Sequence, residues 1–143
     1  KPVEFTPTEL FTPKEKAQLP LVRRGMYEVG NNPDGGTAYK LIHTAVVPLA
    51  VKTGTAQVVG ISQTTKKRMK EADMDYFHRS HAWMTSFGPY DKPQYAVTVL
   101  VEHGGGGGSA AGPVIMQIYE KLVQMGYIDA NATTIKDSAK KTK

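Results

Sequence analysis

The sequence predicts an α+β fold in which an antiparallel sheet of three strands is flanked by helices. Residues 49–58, 81–87 and 95–102 have the composition of strands, and the turn between the last two, rich in Gly and Pro, predicts a hairpin. Residues 21–29 and 113–125 carry apolar side chains on one stripe at helical spacing, so each predicts a helix. Both faces of the third strand are rather apolar, and together they present more apolar surface than two helices can cover. We therefore expect an incomplete domain whose remaining layers come from residues outside this chain.

The helices predicted before the first strand have residues typical of helix starts and helix ends. Thr12-Pro13-Lys14-Glu15 fits a capping box with proline at the first helical position, which predicts a short helical turn. The helix at 21–29 should end in the Gly- and Asn-rich run 30–36. Residues 37–41 predict a connector or a brief helical turn, and residues 43–47 predict an extended segment that leads into the first strand.

A polar insert, residues 60–80, separates the first two strands. It is predicted to be helical from Thr64 or Thr65 to about Asp73. Because it borders the first strand, two interpretations stay open: a lid over a substrate groove, or plain surface decoration.

Five consecutive glycines, Gly104 to Gly108, follow the third strand. Their spacing fits neither a phosphate loop nor a dinucleotide fingerprint, so they predict a flexible turn. We place the domain at residues 1–128 and expect residues 129–143, which are basic and poor in large apolar groups, to form a disordered tail.

Composition limits the function classes. The chain has 143 residues, 40% of them hydrophobic, and no cysteine, which excludes disulfides and thiolate metal sites. No stretch approaches the roughly 18 apolar residues that cross a bilayer, and the first residues lack a signal-peptide pattern. The net charge of +5 sits largely in residues 66–70 and 136–143, without interleaved aromatics, so no nucleic-acid partner is expected. A basic module that binds peptides or nucleic acid stays an alternative, and salt-dependent DNA binding would support it.

The first strand carries a candidate site, Lys52-Thr53-Gly54-Thr55. Side chains alternate along a strand, so Thr53 and Thr55 share one face while Lys52 points to the other. Two hydroxyls and a backbone N–H at a strand edge can hold a carboxylate and a developing oxyanion, and the lysine can assist proton transfer. Gly54 lets a ligand lie close to the backbone. Lys-Thr-Gly is a signature element of class A β-lactamases and penicillin-binding proteins, although the bare triplet also fits a surface strand.

Seven separate stretches carry a wider resemblance, which covers roughly residues 20–128. In order and spacing they resemble the C-terminal part of the transpeptidase domain of class B penicillin-binding proteins, most closely those of the elongation type. The stretches are Gly25–Val29, Gly36–Ala38, Lys52–Gln57, His81–Met84, Phe87–Tyr90, Val101–Gly105 and Ala111–Pro113.

The resemblance implies a fold, a reaction and residue roles. The chain would be an incomplete part of a penicillin-binding protein transpeptidase or serine β-lactamase-like fold. In that family a serine attacks the D-Ala-D-Ala end of a peptidoglycan stem peptide, releases D-Ala and passes the acyl group to an amine, and β-lactams acylate the same serine. Lys52 would lie near the nucleophile, Thr53 and Thr55 would bind the terminal carboxylate, and Gly54 would permit close approach. The backbone N–H of Thr55 would form half of the oxyanion hole.

The family's nucleophile is missing from this sequence. Its Ser-x-x-Lys and Ser-x-Asn motifs are absent, apart from a chance Ser138-x-x-Lys141 in the predicted tail. We therefore expect the nucleophile on a companion chain or on upstream residues of the same polypeptide. A β-lactam sensor or scaffold of the same fold, which is acylated but turns nothing over, is the alternative.

Partners and location also follow from the resemblance. It implies peptidoglycan stem peptides, β-lactams and elongation-complex proteins as partners, at the periplasmic face of the bacterial inner membrane. The membrane anchor would lie outside this chain. No cofactor or metal is expected, because the four histidines are not spaced as ligands on one element. His103 stands where the family commonly has Asn, so this turn departs from the pattern.

Overall fold

A computed structural model of the chain describes residues 8–60 and 69–129. Within them the helices are α1 (Pro13–Lys16), α2 (Leu19–Asn31), α3 (Tyr39–Ile42) and α4 (Gly107–Gln124). The strands are β1 (Ala50–Ala56), β2 (His81–Gly88) and β3 (Tyr95–Val101), and two short 3₁₀ turns, Glu71–Asp73 and Tyr76–His78, precede β2.

The three strands form one antiparallel sheet in the order β1-β2-β3. Thr53 pairs with Met84, and Met84 pairs with Val99, so these three residues share one face of the sheet. Within the described residues β1 has a strand neighbour on one side only, which makes it an edge strand. The predicted antiparallel three-stranded sheet with flanking helices is confirmed.

The core lies between one face of the sheet and α4. Tyr119 of α4 is fully buried, and its hydroxyl donates to the carbonyl of Tyr95 on β3 (3.2 Å). Burial raises the pKa of this phenol. The other large side chains that the core encloses are Ile42, Val47, Leu49, Val51, Met84, Ile115 and Ile128.

Helix α2 is tied to the start of β1. The side-chain amide of Asn31 donates to the carbonyl of Leu49 (2.8 Å) and to the carbonyl of Tyr27 within its own helix (2.9 Å). Gly30 lies against Val51, where an added Cβ would be 3.1 Å from a methyl group. The last turn of α2 therefore fixes where the first strand begins.

The opposite face of the sheet is largely open in this part of the chain. Trp83 and Leu100, which pair across β2 and β3, are 41% and 42% exposed. Thr85 and Thr98 pair beside them through their hydroxyls (2.8 Å). Large apolar groups on a sheet face are normally covered, so this face fits the predicted incomplete domain.

Several predicted elements differ in extent. The helix predicted at 21–29 spans Leu19–Asn31, because Pro20 is accommodated in its first turn. The strand predicted at 49–58 is shorter at both ends, Ala50–Ala56. The brief helical turn is α3, and the capping box of Thr12 and Glu15 is formed as predicted.

Three predictions were wrong. Residues 43–47 are not extended but form a turn and a bend after α3. The predicted helix at 113–125 begins six residues earlier, at Gly107, so Gly107 and Gly108 are helical rather than part of a flexible turn. Tertiary contact with the sheet overrides the low helix propensity of glycine there.

Residues 71–73 form a 3₁₀ turn rather than the end of an α-helix, and the start predicted for that helix, at Thr64 or Thr65, lies outside the described residues. So does the predicted tail, except for Asp129.

Candidate active-site strand

Strand β1 passes from the core to the surface at the candidate site. Leu49, Ala50 and Val51 have no exposed surface, whereas Lys52 is exposed and Thr53 is half-buried. The buried half sets the direction of the strand, and the half that follows presents polar groups to solvent. The sequence Lys52-Thr53-Gly54-Thr55 therefore begins where the strand leaves the core.

Lys52 lies on the open face of the sheet, opposite Thr85 of β2. Its ammonium group donates to the carbonyl of Thr53 (2.6 Å), and among the described residues no carboxylate pairs with it. The predicted alternation is confirmed, since Thr53 and Thr55 lie on the other face with the buried Val51. The lysine is a cation held by its own backbone and free of a counter-charge in this part of the chain.

Thr53 contacts a residue that sequence reasoning did not single out. Its hydroxyl lies 3.4 Å from the hydroxyl of Thr37, a long contact for two oxygens. Thr37 belongs to a stretch that carried the family resemblance, but it had no role there. It follows Gly36, where a Cβ would lie 2.7 Å from the carbonyl oxygens of Glu28, Val29 and Asn32, so only glycine allows the chain to turn here.

Thr55 is held by the first turn of α4. The amide of Gly107 donates to its hydroxyl at 3.4 Å. Gly107 lies flat on the sheet, where a Cβ would be 2.2 Å from the carbonyl oxygen of Gly54 and 2.6 Å from that of Trp83. The contact between α4 and the candidate site therefore requires glycine at this position.

Gly54 has a structural reason to be glycine in addition to the predicted ligand contact. A Cβ at this position would lie 3.3 Å from the Cβ of Trp83 on the neighbouring strand, which is tight. Close approach of a ligand to Gly54 stays a prediction.

An open cleft lies next to Thr37, whose hydroxyl contacts that of Thr53. It has a volume of about 630 Å³ and is bordered by the loop after α2 and by the first turn of α4. Thr37, Lys40, Gly108 and Ser109 are among the residues that line it. Thr37 lines the cleft and contacts Thr53, so a ligand that touches Thr37 in the cleft would lie close to Thr53.

Two histidines that are distant in sequence meet beside the site. The rings of His81 and His103 are 4.7 Å apart, and the aromatic rings of Tyr76 and Phe77 lie against His103. Neither proximity could be inferred from spacing, because His81 starts β2 and His103 follows β3. Within residues 8–60 and 69–129 no three acidic or histidine side chains are grouped as metal ligands would be.

Comparison with known proteins gives the family. Residues 9–120 match the family described as the penicillin binding protein transpeptidase domain. The chain belongs to this family. The transpeptidase chain is 40% identical over 104 residues to peptidoglycan D,D-transpeptidase MrdA of Escherichia coli K12, a match that covers 72% of this chain and 16% of the relative. The protein of the same name from Salmonella typhimurium LT2 is 36% identical over 102 residues, covering 71% and 16%.

Solved structures agree. A complex between penicillin-binding protein PBP2 and MreC from Helicobacter pylori contains a chain 46% identical to the transpeptidase chain, with a TM-score of 0.70 over 82% of this chain and 19% of that one. Pseudomonas aeruginosa PBP2 in complex with WCK 5153 is 32% identical, with a TM-score of 0.65 over 85% and 23%. The resemblance to elongation-type class B proteins is confirmed, and the chain spans less than a quarter of the length of these relatives.

Proposed function

We propose that this chain is the C-terminal part of a peptidoglycan D,D-transpeptidase, in which it supplies the strand that binds the donor peptide. The observation that carries the proposal is the exposed half of β1: an edge strand with an ammonium on one face, which no carboxylate of residues 8–60 and 69–129 pairs with, and two hydroxyls on the other. The names of the relatives support the same activity.

The donor peptide ends in a carboxylate, and β1 offers suitable donors for it. The hydroxyls of Thr53 and Thr55 lie two residues apart on one side of an edge strand, and that of Thr53 contacts Thr37, which lines an open cleft. A hydroxyl donates one proton, so two of them can hold the two oxygens of a carboxylate. The peptide would then lie along the free edge of β1, where the N–H of Thr55 can donate to the carbonyl oxygen under attack.

Lys52 lies on the opposite face of the strand from the two threonines, where it can act on the serine hydroxyl rather than on the carboxylate. Its ammonium is exposed on the open face, without a carboxylate partner in the described ranges. In the proposed reaction the serine oxygen attacks the penultimate D-Ala carbonyl, and terminal D-Ala leaves with the serine proton. An amine then attacks the acyl-enzyme and forms the new peptide bond, while the serine ester bond breaks and the serine oxygen takes the amine's proton. Lys52 stabilises the developing negative charge and assists the proton transfers near the serine hydroxyl.

We place the nucleophile on residues outside this chain. Ser138-x-x-Lys141 is the only matching pattern in the sequence, and it lies outside the described residues. The exposed Trp83 and Leu100 on the face that carries Lys52 leave room for a covering layer. The chain corresponds to 16% of the length of MrdA from Escherichia coli, so most of such a protein lies elsewhere.

We also propose partners and a location. Stem peptides and β-lactams are the ligands expected of a transpeptidase, and the Helicobacter pylori complex with MreC makes an elongation-complex protein a reasonable partner. The expected location is the periplasmic face of the inner membrane. No helix in the described ranges has the length and apolar character to cross a membrane.

Acylation by a fluorescent penicillin tests the proposal. The protein is the polypeptide that carries this chain together with the residues that supply the serine. We expect labelling, and we expect Lys52→Ala to slow it by about 10²–10⁴-fold, the range for loss of a general acid or base. Lys121→Ala, on the exposed surface of α4, is the matched control and should label normally. Undiminished labelling of Lys52→Ala would contradict the site, and labelling without turnover of a donor peptide would favour a sensor.

A further inference from the structure

The segment 103–107 is fixed by backbone amides at three alternate positions. Each amide donates to a residue at the start of β2 or on β1, so the contacts bridge the two ends of the polar insert. The three contacts are His103 to Nδ1 of His81 (2.9 Å), Gly105 to the carbonyl of Ser80 (2.8 Å) and Gly107 to the hydroxyl of Thr55 (3.4 Å).

The backbone of this segment needs such anchors. His103 has a φ of +53°, a conformation that residues other than glycine seldom adopt, and Gly105 has a φ of +77°. The glycines between them have no side chains with which to pack. Among the described residues, the imidazole of His81 is the side chain that accepts the backbone amide at the start of the segment.

We propose that His81 is a positioning residue for the candidate site. Its neutral imidazole fixes segment 103–107 and thereby directs the amide of Gly107 to the hydroxyl of Thr55. The proposal rests on the proposed function of Thr55 as a carboxylate ligand. When the hydroxyl oxygen accepts an N–H, its own proton stays available for an anion, so the amide of Gly107 orients Thr55 for binding.

The role depends on the protonation state of His81. Nδ1 must carry a lone pair to accept the amide of His103, and a proton added at that nitrogen removes the acceptor. Histidine is the side chain that changes charge between pH 5 and 8. His103 differs, because its own Nδ1 lies 3.2 Å from the carbonyl of Arg79 and can keep that contact when the ring is charged.

The charged groups around His81 come from three segments. The ring of His103 faces it, with the two ring centres 4.7 Å apart. Before β2 lie Arg79 and Glu71, whose carboxylate binds the amide and hydroxyl of Ser80. Glu102 adjoins His103 at the end of β3, and the residue of β1 that pairs with His81, Ala56, is uncharged.

The test compares acylation rates between pH 5.5 and 8 for the polypeptide used above. In His81→Asn the side-chain oxygen replaces Nδ1 as acceptor but does not titrate, whereas His81→Ala removes the acceptor. The matched control is His78→Asn, an exposed histidine whose Nδ1 lies 3.9 Å from the carboxylate of Asp75. His103→Asn keeps the backbone amide and tolerates its positive φ.

We expect His81→Ala to be acylated about 2- to 10-fold more slowly at pH 8, the effect of one hydrogen bond. His81→Asn should match the wild-type protein at pH 8 and lose less rate towards pH 5.5. The pH profiles of the His78 and His103 variants should follow that of the wild type. The proposal is overturned if His81→Ala reacts at the wild-type rate, or if His81→Asn shows the wild-type pH profile.

Hydrogen exchange gives a second measurement that does not depend on acylation. The amides of Gly105 and Gly107 should exchange faster at pH 5.5 than expected from intrinsic rates, and His81→Asn should suppress that excess. If the wild-type polypeptide is not acylated, the proposed function fails, and exchange still reports whether His81 holds the segment. Identical exchange in the wild-type, Asn and Ala proteins would refute the positioning role.

Discussion

The contact between Gly107 and the sheet predicts that a substitution at this position lowers the free energy of unfolding. In Gly107→Ala the new methyl group would lie 2.2 Å from the carbonyl oxygen of Gly54 and 2.6 Å from that of Trp83. Both neighbours are backbone atoms of paired strands, so neither can rotate away, and α4 must move outward from the sheet. That movement also lengthens the contact between the amide of Gly107 and Thr55.

The expected magnitude can be estimated. Overpacking costs about 1–3 kcal/mol, and the backbone neighbours favour the upper end of that range. Alanine returns about 1 kcal/mol through its higher helix propensity, so we expect a net loss of about 2 kcal/mol in the free energy of unfolding. The rate of acylation should fall as well, because Thr55 loses its donor.

Gly108→Ala is the matched control, one residue further along the helix. Its Cβ would be 3.4 Å from a methyl of Leu41 and 3.7 Å from that of Thr53, which are ordinary contacts. This variant should be as stable as the wild type or up to about 1 kcal/mol more stable. Urea unfolding of the polypeptide that carries the chain measures both. Equal stability of the two variants would refute the packing that we describe at Gly107.

Three further predictions concern the site, the core and the anchor of β1. Thr55→Val should slow penicillin acylation by about 10-fold or more, because a hydroxyl bond to a charged group is lost, whereas Thr55→Ser should retain most of the rate; equal rates for the two variants would exclude the hydroxyl. Burial raises the pKa of Tyr119 in the folded state. The neutral phenol therefore contributes its full stabilisation of the fold below the pKa of the unfolded chain, near 10, and this stabilisation is lost as the pH rises through the pKa of the folded state. Urea midpoints should therefore fall more steeply above pH 10 for the wild type than for Tyr119→Phe, and parallel curves would contradict this. Asn31→Ala loses two bonds, one of them to the carbonyl of Leu49, and should lower the free energy of unfolding by about 1–3 kcal/mol, with an unchanged value counting against this anchor.

The sequence predicted the strand that carries the candidate site because its signals are local. Alternation along β1 places Lys52 and Thr53 on opposite faces whatever packs around them, and the structure confirms this arrangement. The hairpin of β2 and β3 was predicted for the same reason, since its turn residues lie between two strand-like runs.

The errors arise where distant residues decide the local structure. The glycine run was predicted to be a flexible turn, but Gly107 is helical because it packs against Gly54, 53 positions earlier in the sequence. The contacts of Thr53 with Thr37 and of His81 with His103 likewise join residues 16 and 22 positions apart. No periodicity within a window of the sequence contains such information. The extended segment expected at 43–47 failed differently: Val47 is buried in the core, whereas the other β-branched residues, Thr44 and Val46, are exposed in a turn and a bend.

The uneven burial of β1 has a consequence for how this strand would receive a ligand. Its first residues, Ala50 and Val51, are buried, whereas Thr55 and Ala56 are exposed. These two exposed residues are held chiefly by pairing with β2 and by one amide of α4. If the proposed function holds, a bulky ligand would displace the far end of the strand, while Lys52, next to the buried Val51, would keep its place. Accommodation of ligands of different width would then be separated, along a single strand, from the lysine that we propose to assist the chemistry.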